Sequence, residues 1–365
     1  MLLYLIVFVV AITGLGFLAM SFPKYKRIQL DGGQQRIIKL PNLLVVILIA
    51  VLLIGISGHR GFSYQDTGEY TWTYANELTS NYREKGGMLE GSQLFWFIAA
   101  AVRKLSNINV SWFLLVFTIL TIAPIVWTFY RYSERFEISI FLFLTLGSYL
   151  VSMNAMRQCI ASAVVFLGYT LFMNKRWFFF FVLVGVGYFL HPTALIMIPI
   201  YFYCHRPAWQ PIATGIVVAV VLALMFVPSF AQAIFSLLGE SDYSKYGELY
   251  GANIIRPLIM LAVCVFAFVN RTKIKAAFPE SDVLVNMLVV HTVILFASTN
   301  SWVIARLGIY TDLYVMMLIP MITVSCFNNK NRKLGVALIM LFFFAYHLYE
   351  YRELEYYSKT LGINY

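Results

Sequence analysis

Four arginines lie beside the long apolar stretches of this sequence, and their side chains are the ones best suited to bind an anion. They are Arg60, Arg157, Arg256 and Arg306. A guanidinium inside or at the edge of a membrane is costly in free energy unless an anion accompanies it. We therefore expect an anionic ligand at these positions. For Arg157 the alternative is a side chain that extends to the phosphates of membrane lipids.

Helical spacing places polar residues beside two of these arginines. Asn154, Arg157 and Gln158 stand at positions i, i+3 and i+4, which predicts that they share one face of a helix. Arg306 and Tyr310 have the same i, i+4 relation. Gln158 and Tyr310 are therefore candidate ligand-binding residues beside the arginines.

Three side chains are candidates for accepting a proton. Asp66 and Glu90 carry carboxylates, and the imidazole of His191 titrates near neutral pH. Each also has a structural interpretation. Asp66 and Glu69 match a capping box for a helix over 67–79, Glu90 stands where an acid favours a helix start, and a proline follows His191, as is common at the first position of a helix.

Aromatic residues are interspersed with charges between residues 58 and 90. Such a mixture suits sugar binding, through stacking of aromatic faces and hydrogen bonds to hydroxyls. The alternative is an aromatic belt at the membrane surface. The candidates for sugar binding are Tyr64, Tyr70, Trp72 and Tyr74.

The elements that must position these residues are membrane helices. Hydrophobic residues make up 61% of the 365 residues and charged residues only 12%, with a mean hydropathy of +0.76. This composition excludes a soluble globular domain and predicts one integral membrane domain over 1–365. The apolar runs lack the alternation of a barrel, so we expect an all-α polytopic bundle of about 10–12 membrane helices. The predicted spans are 1–22, 40–57, 110–130, 137–152, 153–173, 211–229, 255–270, 283–300, 303–326 and 334–348.

Basic residues predict the orientation of these spans. The segments 23–39, 131–137, 174–176, 204–210, 271–276 and 327–333 hold more than half of the 27 Lys and Arg. Placing them in the cytoplasm satisfies the positive-inside rule and puts the N-terminus outside. The formal charge of +10 then reflects topology and implies no nucleic acid. The first apolar segment precedes a basic cluster, so we expect an anchor and no cleaved signal peptide.

Two shorter elements complete the predicted topology. Residues 177–203 must enter and leave on the basic side, so we expect two short or re-entrant helices with His191 at the turn; a single ordinary span is the alternative. Residues 90–104 predict an amphipathic helix on the outer face, within an extracytoplasmic segment 58–109. A second extracytoplasmic loop is predicted over 230–254. Neither the four cysteines nor the five histidines show metal-ligand spacing, and no cofactor or metal is expected.

The order of these motifs resembles the EpsG family of Wzy-type exopolysaccharide polymerases. Arg60 is followed by DTGEY from Asp66, an acid near the next apolar element (Glu90), NAMRQCIA with Arg157, and FLHPTALIMIP with His191. The likeness runs from about residue 50 to 205. The helix with Arg306 and Tyr310 adds weaker support. The segment MLEGSQ departs from the Glu-Pro-Gly-Phe-like pattern frequent in such proteins, which weakens the role assigned to Glu90.

The resemblance implies a polyprenol-dependent glycosyltransferase, similar in fold to GT-C-like polymerases, on the outer face of the bacterial cytoplasmic membrane. Such enzymes transfer a growing chain from one undecaprenyl diphosphate to the terminal sugar of another lipid-linked oligosaccharide unit. Implied partners are that lipid-linked oligosaccharide, the bilayer, a chain-length regulator and a flippase. The arginines, Gln158 and Tyr310 would bind the diphosphate, whose developing charge needs fixed cations. The base would be Asp66, Glu90 or His191.

Two other classes remain open from the sequence. A flippase for lipid-linked oligosaccharides would also present cations to a diphosphate, although it would need access from both faces and usually contains internal repeats, which this sequence lacks. A membrane acyltransferase that modifies polysaccharide would use His191 as a base toward an acyl donor.

Overall fold

The computed structural model describes residues 2–29, 35–62, 64–78, 92–227, 236, 251–328, 330–350, 357–358 and 363–364. Glu90 lies outside these residues, as does the predicted loop 230–254 apart from 236 and 251–254. The chain forms two compact units. The first comprises residues 1–82, 97–156 and 319–365, and the second comprises 83–96 and 157–318.

The first unit consists of helices and two short hairpins. Three helices, α4, α8 and α17, contribute residues to both units. The elements are α1 (Leu2–Ser21), β1 (Lys24–Gln29), β2 (Gln35–Leu40), α2 (Leu43–Gly58), α3 (Thr67–Trp72) with a π-helix (Thr73–Glu77), α4 (Gln93–Leu105), α5 (Val110–Tyr132), α6 (Phe136–Thr145), α7 (Ser148–Asn154), α17 (Asp312–Cys326), α18 (Arg332–Glu350), β3 (Tyr357–Ser358) and β4 (Ile363–Asn364).

Helix α6 is the core of the first unit, because every one of its residues is buried. Helices α1 and α18 pack against it, and α2 packs along α5. Strands β1 and β2 pair antiparallel between α1 and α2, with Lys24 opposite Leu40. This hairpin was not predicted, since its sequence is polar and basic. A mostly apolar run such as α6, whose buried Glu137 accepts from Arg135 at 2.6 Å, forms a stable helix only when protein or lipid covers it.

The second unit is also helical. Its elements are α8 (Met156–Leu167), α9 (Tyr169–Met173), α10 (Trp177–Leu190), a 3-10 turn (Pro192–Ile196), α11 (Met197–Cys204), α12 (Pro211–Phe226), α13 (Ile255–Val269), α14 (Arg271–Ala277), a 3-10 turn (Pro279–Ser281), α15 (Asp282–Ser298), α16 (Trp302–Ala305) and a 3-10 helix (Arg306–Tyr310). Helix α15 is central, with α11, α12, α13 and α16 packed against it. Most of the apolar stretch Pro279–Ser298 is buried within the protein.

The all-α polytopic fold class is confirmed. Among the described residues, four helices are long and apolar enough to cross a membrane, and three bent pairs raise the number to seven if each pair is one span. Several predicted spans are divided. Residues 137–152 form α6 and α7, which meet at 53°. Gly147 between them has φ 86°, a conformation that glycine adopts without the penalty of a side chain, so the helix changes direction there.

The predicted pair of short helices around His191 is confirmed. Helices α10 and α11 lie on either side of this residue, and the ring of Phe180 stacks on that of Tyr201 at 5.5 Å between centroids. These residues are nearly equidistant from His191, so the two arms fold back on each other. A Cβ at Gly187 would lie only 3.2 Å from that of Ala194, so the glycine permits this tight turn.

The predicted capping box at Asp66 is wrong. Asp66 precedes α3, but its side chain makes no capping bond, and α3 continues as the π-helix Thr73–Glu77. The backbone N of Asp66 donates to Asn154 Oδ1 at 3.2 Å. From α4, Arg103 donates to the carbonyls of Tyr74 and Ala75 in the π-helix at 2.9 and 3.1 Å. These external bonds compete with regular α-helical pairing.

Candidate functional site

The residues predicted to bind or react fall into two groups, one in each unit. In the second unit, hydrogen bonds connect several members of the group to one another. The first group contains Arg60, Tyr64, Asp66, Tyr70, Trp72 and Tyr74, and the second contains Arg157, Gln158, His191, Arg256, Arg306 and Tyr310. No structural statement applies to Glu90.

Thr193 is the centre of a buried polar network in the second unit. Its Oγ1 lies 2.6 Å from His191 Nδ1, 3.1 Å from the Tyr310 hydroxyl, and accepts from Gln158 Nε2 at 3.1 Å. None of these four side chains is more than 6% exposed. Buried polar groups are costly unless they are paired, so the mutual bonds fix all four in position. We call Gln158, His191, Thr193 and Tyr310 the Thr193 network.

Helix α8 is tied to the 3-10 helix Arg306–Tyr310 by two hydrogen bonds one turn apart. Gln158 Nε2 donates to the carbonyl of Arg306 at 2.8 Å, and Ser162 Oγ donates to that of Ile309 at 2.7 Å. The carbonyl of Ile309 lies at the C-terminal end of this 3-10 helix, where carbonyls lack a partner within the helix, and Ser162 supplies the donor. Arg157, the neighbour of Gln158 in the chain, is thereby held in a fixed relation to the backbone of Arg306.

Both arginines lie beside the Thr193 network. Arg157 and Arg306 are half-buried, and the charges of both guanidiniums act on the ring of His191. Arg157 Nη1 also donates to Ser92 Oγ at 3.5 Å, the long limit of a hydrogen bond. Two half-buried arginines whose backbones are connected through Gln158 supply the kind of positive charge that suits a phosphate group.

Two details of the sequence prediction for these arginines are wrong. Asn154 and Arg157 do not share a helix, because α7 ends at Asn154 and Ala155 separates it from α8. Arg306 and Tyr310 lie in a 3-10 helix, where residues three apart align, instead of in a continuous α-helix over 303–326. The hydroxyl of Tyr310 reaches the network nonetheless.

His191 has the turn-organising role that its sequence context allows. It precedes the 3-10 turn, with Pro192 at the first position, and its Nδ1 accepts from the backbone N of Thr193 at 3.4 Å. A capping side chain of this kind satisfies a donor that the turn leaves unpaired. The role of His191 in proton transfer stays a prediction.

Asp312 is a residue of this region that the sequence interpretation missed. It begins α17, and its charge and that of Arg306 both act on the buried thiol of Cys159. A signal was available, because Asp312 is the single Asp or Glu between residues 283 and 326. Intramembrane acids are rare enough to mark functional positions.

Arg256 and Arg60 have different surroundings. Arg256 lies half-buried in the first turn of α13, and its proposed contact with ligand stays a prediction. Arg60 is only 1% exposed and donates to Ser57 O at 2.8 Å, Thr67 Oγ1 at 3.0 Å and Met156 Sδ at 3.0 Å. It therefore joins the ends of helices in the first unit and is covered by protein.

The predicted sugar-binding aromatics differ in exposure. Tyr64 and Tyr74 are buried, and their hydroxyls bond Leu150 O at 3.4 Å and Ser106 Oγ at 3.0 Å. Protein covers their faces, so neither offers a free surface for stacking in this conformation. Trp72 is 56% exposed and Tyr70 is half-buried, which leaves these two as the accessible members of the set.

The fold defines a class, that of multi-pass helical membrane proteins. The profile of the EpsG family matches residues 42–361, most of the chain, and the chain belongs to this family. The protein is thus an exopolysaccharide polymerase-like membrane protein, as the sequence resemblance indicated. No match was found among curated proteins or among solved structures.

Proposed function

We propose that the protein polymerises oligosaccharide repeat units carried on undecaprenyl diphosphate, on the outer face of the cytoplasmic membrane. The observation that carries this proposal is the pair of hydrogen bonds from Gln158, the chain neighbour of Arg157, to Arg306 O and Thr193 Oγ1, which brings two half-buried arginines to the Thr193 network. Family membership supports the same class of reaction.

The arginines suit the leaving group of this reaction. The hydroxyl oxygen of the acceptor sugar bonds to the anomeric carbon of the donor, and the bond from that carbon to the diphosphate oxygen breaks. The electron pair of the broken bond remains on the diphosphate, and the hydroxyl proton passes to a base. Preorganised cations stabilise the negative charge that develops on the leaving oxygen, and they are most effective where water is partly excluded.

The Thr193 network gives this site its preorganisation. Gln158 joins the two arginine-bearing segments, and Tyr310 and His191 hold the turn that faces them. Fixed cations need no reorganisation as charge develops, so a rigid framework adds to catalysis. For the base, His191 shares a unit with the arginines, while Asp66 and Glu90 remain candidates from the sequence.

The proposal is tested with the variants Arg157→Gln and Arg306→Gln in cells and with purified protein. Removing one preorganised donor from a site that stabilises developing charge costs about 10²–10³-fold in rate. We expect each variant to insert normally, to lose polymer by that order and to leave single repeat units on the lipid carrier. Arg176→Gln is the control, because Arg176 is exposed at the start of α10.

The lipid intermediates separate the three classes of function. Loss of a polymerase leaves single units exposed on the outer face, loss of a flippase retains them inside, and loss of an acyltransferase leaves unmodified polymer of full length. Normal polymer ladders from both arginine variants would contradict the proposal. Retention of the units inside would indicate the flippase.

A further inference from the structure

An open cavity of about 520 Å³ lies in the second unit, and its largely apolar surface also carries charged and hydroxyl groups. We call it the basic cavity. Its lining includes Trp209, Arg271, Thr272, Lys275, Ser281 and Asp282. Its volume is within the range of small-molecule sites, about 300 to 1,000 Å³.

The basic cavity lies where apolar helices end. Helix α13 ends at Val269, the apolar stretch that contains α15 begins at Pro279, and α12 begins at Pro211, two residues after Trp209. Asn286 of α15 donates to the carbonyl of Arg206 at 2.8 Å, which fixes the segment before α12 against α15. Ends of apolar helices mark the level where hydrocarbon gives way to lipid headgroups, so the cavity lies at that level.

Helix α14 places two cations at the cavity. It bends by 73° from α13, so it leaves the direction of that helix. Arg271 and Lys275 are four residues apart and both line the cavity, while Ile274 between them is buried. The guanidinium of Arg271 lies 4.5 Å from the centre of the Phe268 ring, and its Nη1 donates to Phe268 O at 3.1 Å. These contacts hold the cation at the cavity.

The charged residues of the lining are Arg271, Lys275 and Asp282, so their net charge of +1 would balance one negative charge on a ligand. Lys275 Nζ lies 2.5 Å from Asp282 Oδ2, so one cation is compensated by one carboxylate and the charge of Arg271 remains in excess. Thr272 and Ser281 add hydroxyl groups to the lining. A phosphodiester carries one negative charge and accepts hydrogen bonds from guanidinium, ammonium and hydroxyl groups.

Trp209 lines the cavity, and its backbone has a strained conformation. Its φ of 62° lies in the left-handed region, which is unfavourable for a bulky side chain. The indole packs edge-on against Phe268, at 5.2 Å between centroids. Tryptophan is enriched at the level of lipid headgroups. A strained backbone such as that of Trp209 persists where the surrounding structure enforces it, often at ligand sites.

We propose that the basic cavity binds the phosphodiester headgroup of an anionic phospholipid, such as a phosphatidylglycerol. The phosphate lies between Arg271 and Lys275, the glycerol contacts the hydroxyls of Thr272 and Ser281, and the acyl chains follow the apolar helices into the bilayer. Basic pockets between membrane helices recognise headgroups in this way. The site is separate from the Thr193 network in its residues and in its ligand.

The test is native mass spectrometry of the full-length protein from mixed micelles that contain equal amounts of phosphatidylglycerol and phosphatidylcholine with identical acyl chains. We expect the wild type to retain phosphatidylglycerol preferentially. The double variant Arg271→Gln, Lys275→Gln should bind it roughly tenfold more weakly. The control is Lys330→Gln, Lys333→Gln, which removes two cations from the turn before and at the start of α18.

Three results would overturn the inference. They are equal retention of the two lipids by the wild type, unchanged retention by the double variant, and an equal loss in the control. Displacement by free glycerol 1-phosphate at the same concentration as the lipid would assign the cavity to a soluble phosphate ester and would also contradict it. Melting temperatures of both variants near that of the wild type would verify that folding is intact, and Arg271→Lys, which keeps the charge, should retain most of the binding.

Discussion

Gln158 is the residue that connects the two arginines of the candidate site. It follows Arg157 in the chain, and its amide donates to the carbonyl of Arg306 at 2.8 Å and to Thr193 Oγ1 at 3.1 Å. The relative placement of the two arginine backbones thus depends on one side chain that is 3% exposed. Gln158 is therefore a positioning residue in this account, and its effect should reach catalysis through the arginines.

Replacing Gln158 by leucine keeps the approximate volume and removes both hydrogen bonds. Leaving buried acceptors unpaired costs about 1–3 kcal/mol, so we expect polymerisation to fall roughly tenfold or more. The measurement is the rate of polymer formation by purified protein on lipid-linked repeat units, together with the melting temperature.

Ser162→Ala is the matched control, because it removes the neighbouring bond from α8 to Ile309 O and leaves the bonds of Gln158 to Arg306 O and Thr193 Oγ1 in place. It should lower the melting temperature by a similar amount and the rate much less. Equal rate losses in the two variants would show that Gln158 contributes only to stability.

Part of the candidate site could be predicted from residue types alone. Arg157, Gln158 and Tyr310 were identified because polar residues in apolar helices are conspicuous, and the structure brings them together. Thr193 was missed, since a threonine after His-Pro is unremarkable until three partners converge on its hydroxyl. The buried position of Arg60 also needs tertiary information, because its partner Met156 is 96 residues away in sequence.

At the scale of elements, the turn at His191 depends on close contact between α10 and the 3-10 turn that follows. Gly187 makes this contact possible, since its hypothetical Cβ would lie 3.1 Å from Val165 Cγ2 and 3.2 Å from Ala194 Cβ. Gly185, half a turn earlier in α10, has nothing within 4 Å of the same point. The two glycines therefore offer a comparison within one helix.

Gly187→Leu should displace α10 from the 3-10 turn and disturb the Thr193 network. Overpacking a buried site costs about 1–3 kcal/mol, so we expect a lower melting temperature and little polymer. Gly185→Leu adds a better helix former where there is space, and it should leave both properties near those of the wild type. The result that would contradict this interpretation is an equal effect of the two substitutions on melting temperature.

Apolar runs predicted where the helices are, but they did not predict where the helices break. Composition places α1, α2, α5 and α12 within a few residues, because burial in lipid or protein requires only an apolar surface. The breaks at Gly147 and Gly168 depend on local conformation and on close packing; at Gly168 a Cβ would lie 2.7 Å from Leu183 Cδ1. Neither condition can be read from hydropathy.

For the whole molecule, the distribution of basic residues predicts the orientation in the membrane. The β1–β2 hairpin between α1 and α2 lies in the basic segment 23–39, and the opposite end of α2 leads to Arg60 and α3. The positive-inside rule assigns the hairpin to the cytoplasm and the start of α3 to the outer face. The outer location of the proposed reaction depends on this assignment.

Cysteine labelling in intact cells tests the orientation. Lys39 and Phe62 are both exposed and lie near opposite ends of α2. In a Cys326→Ser background, where the remaining native cysteines are buried, the Phe62→Cys variant should react with a membrane-impermeant maleimide in intact cells. The Lys39→Cys variant should react only after permeabilisation. The reverse pattern would place α3 in the cytoplasm.

The most direct test of the central claim is an experimental density map of the protein with undecaprenyl diphosphate bound in a lipid nanodisc. The account predicts diphosphate density in contact with the guanidiniums of Arg157 and Arg306, with the Thr193 network intact beside them. Diphosphate density away from both arginines, in a map that resolves their side chains, would contradict it.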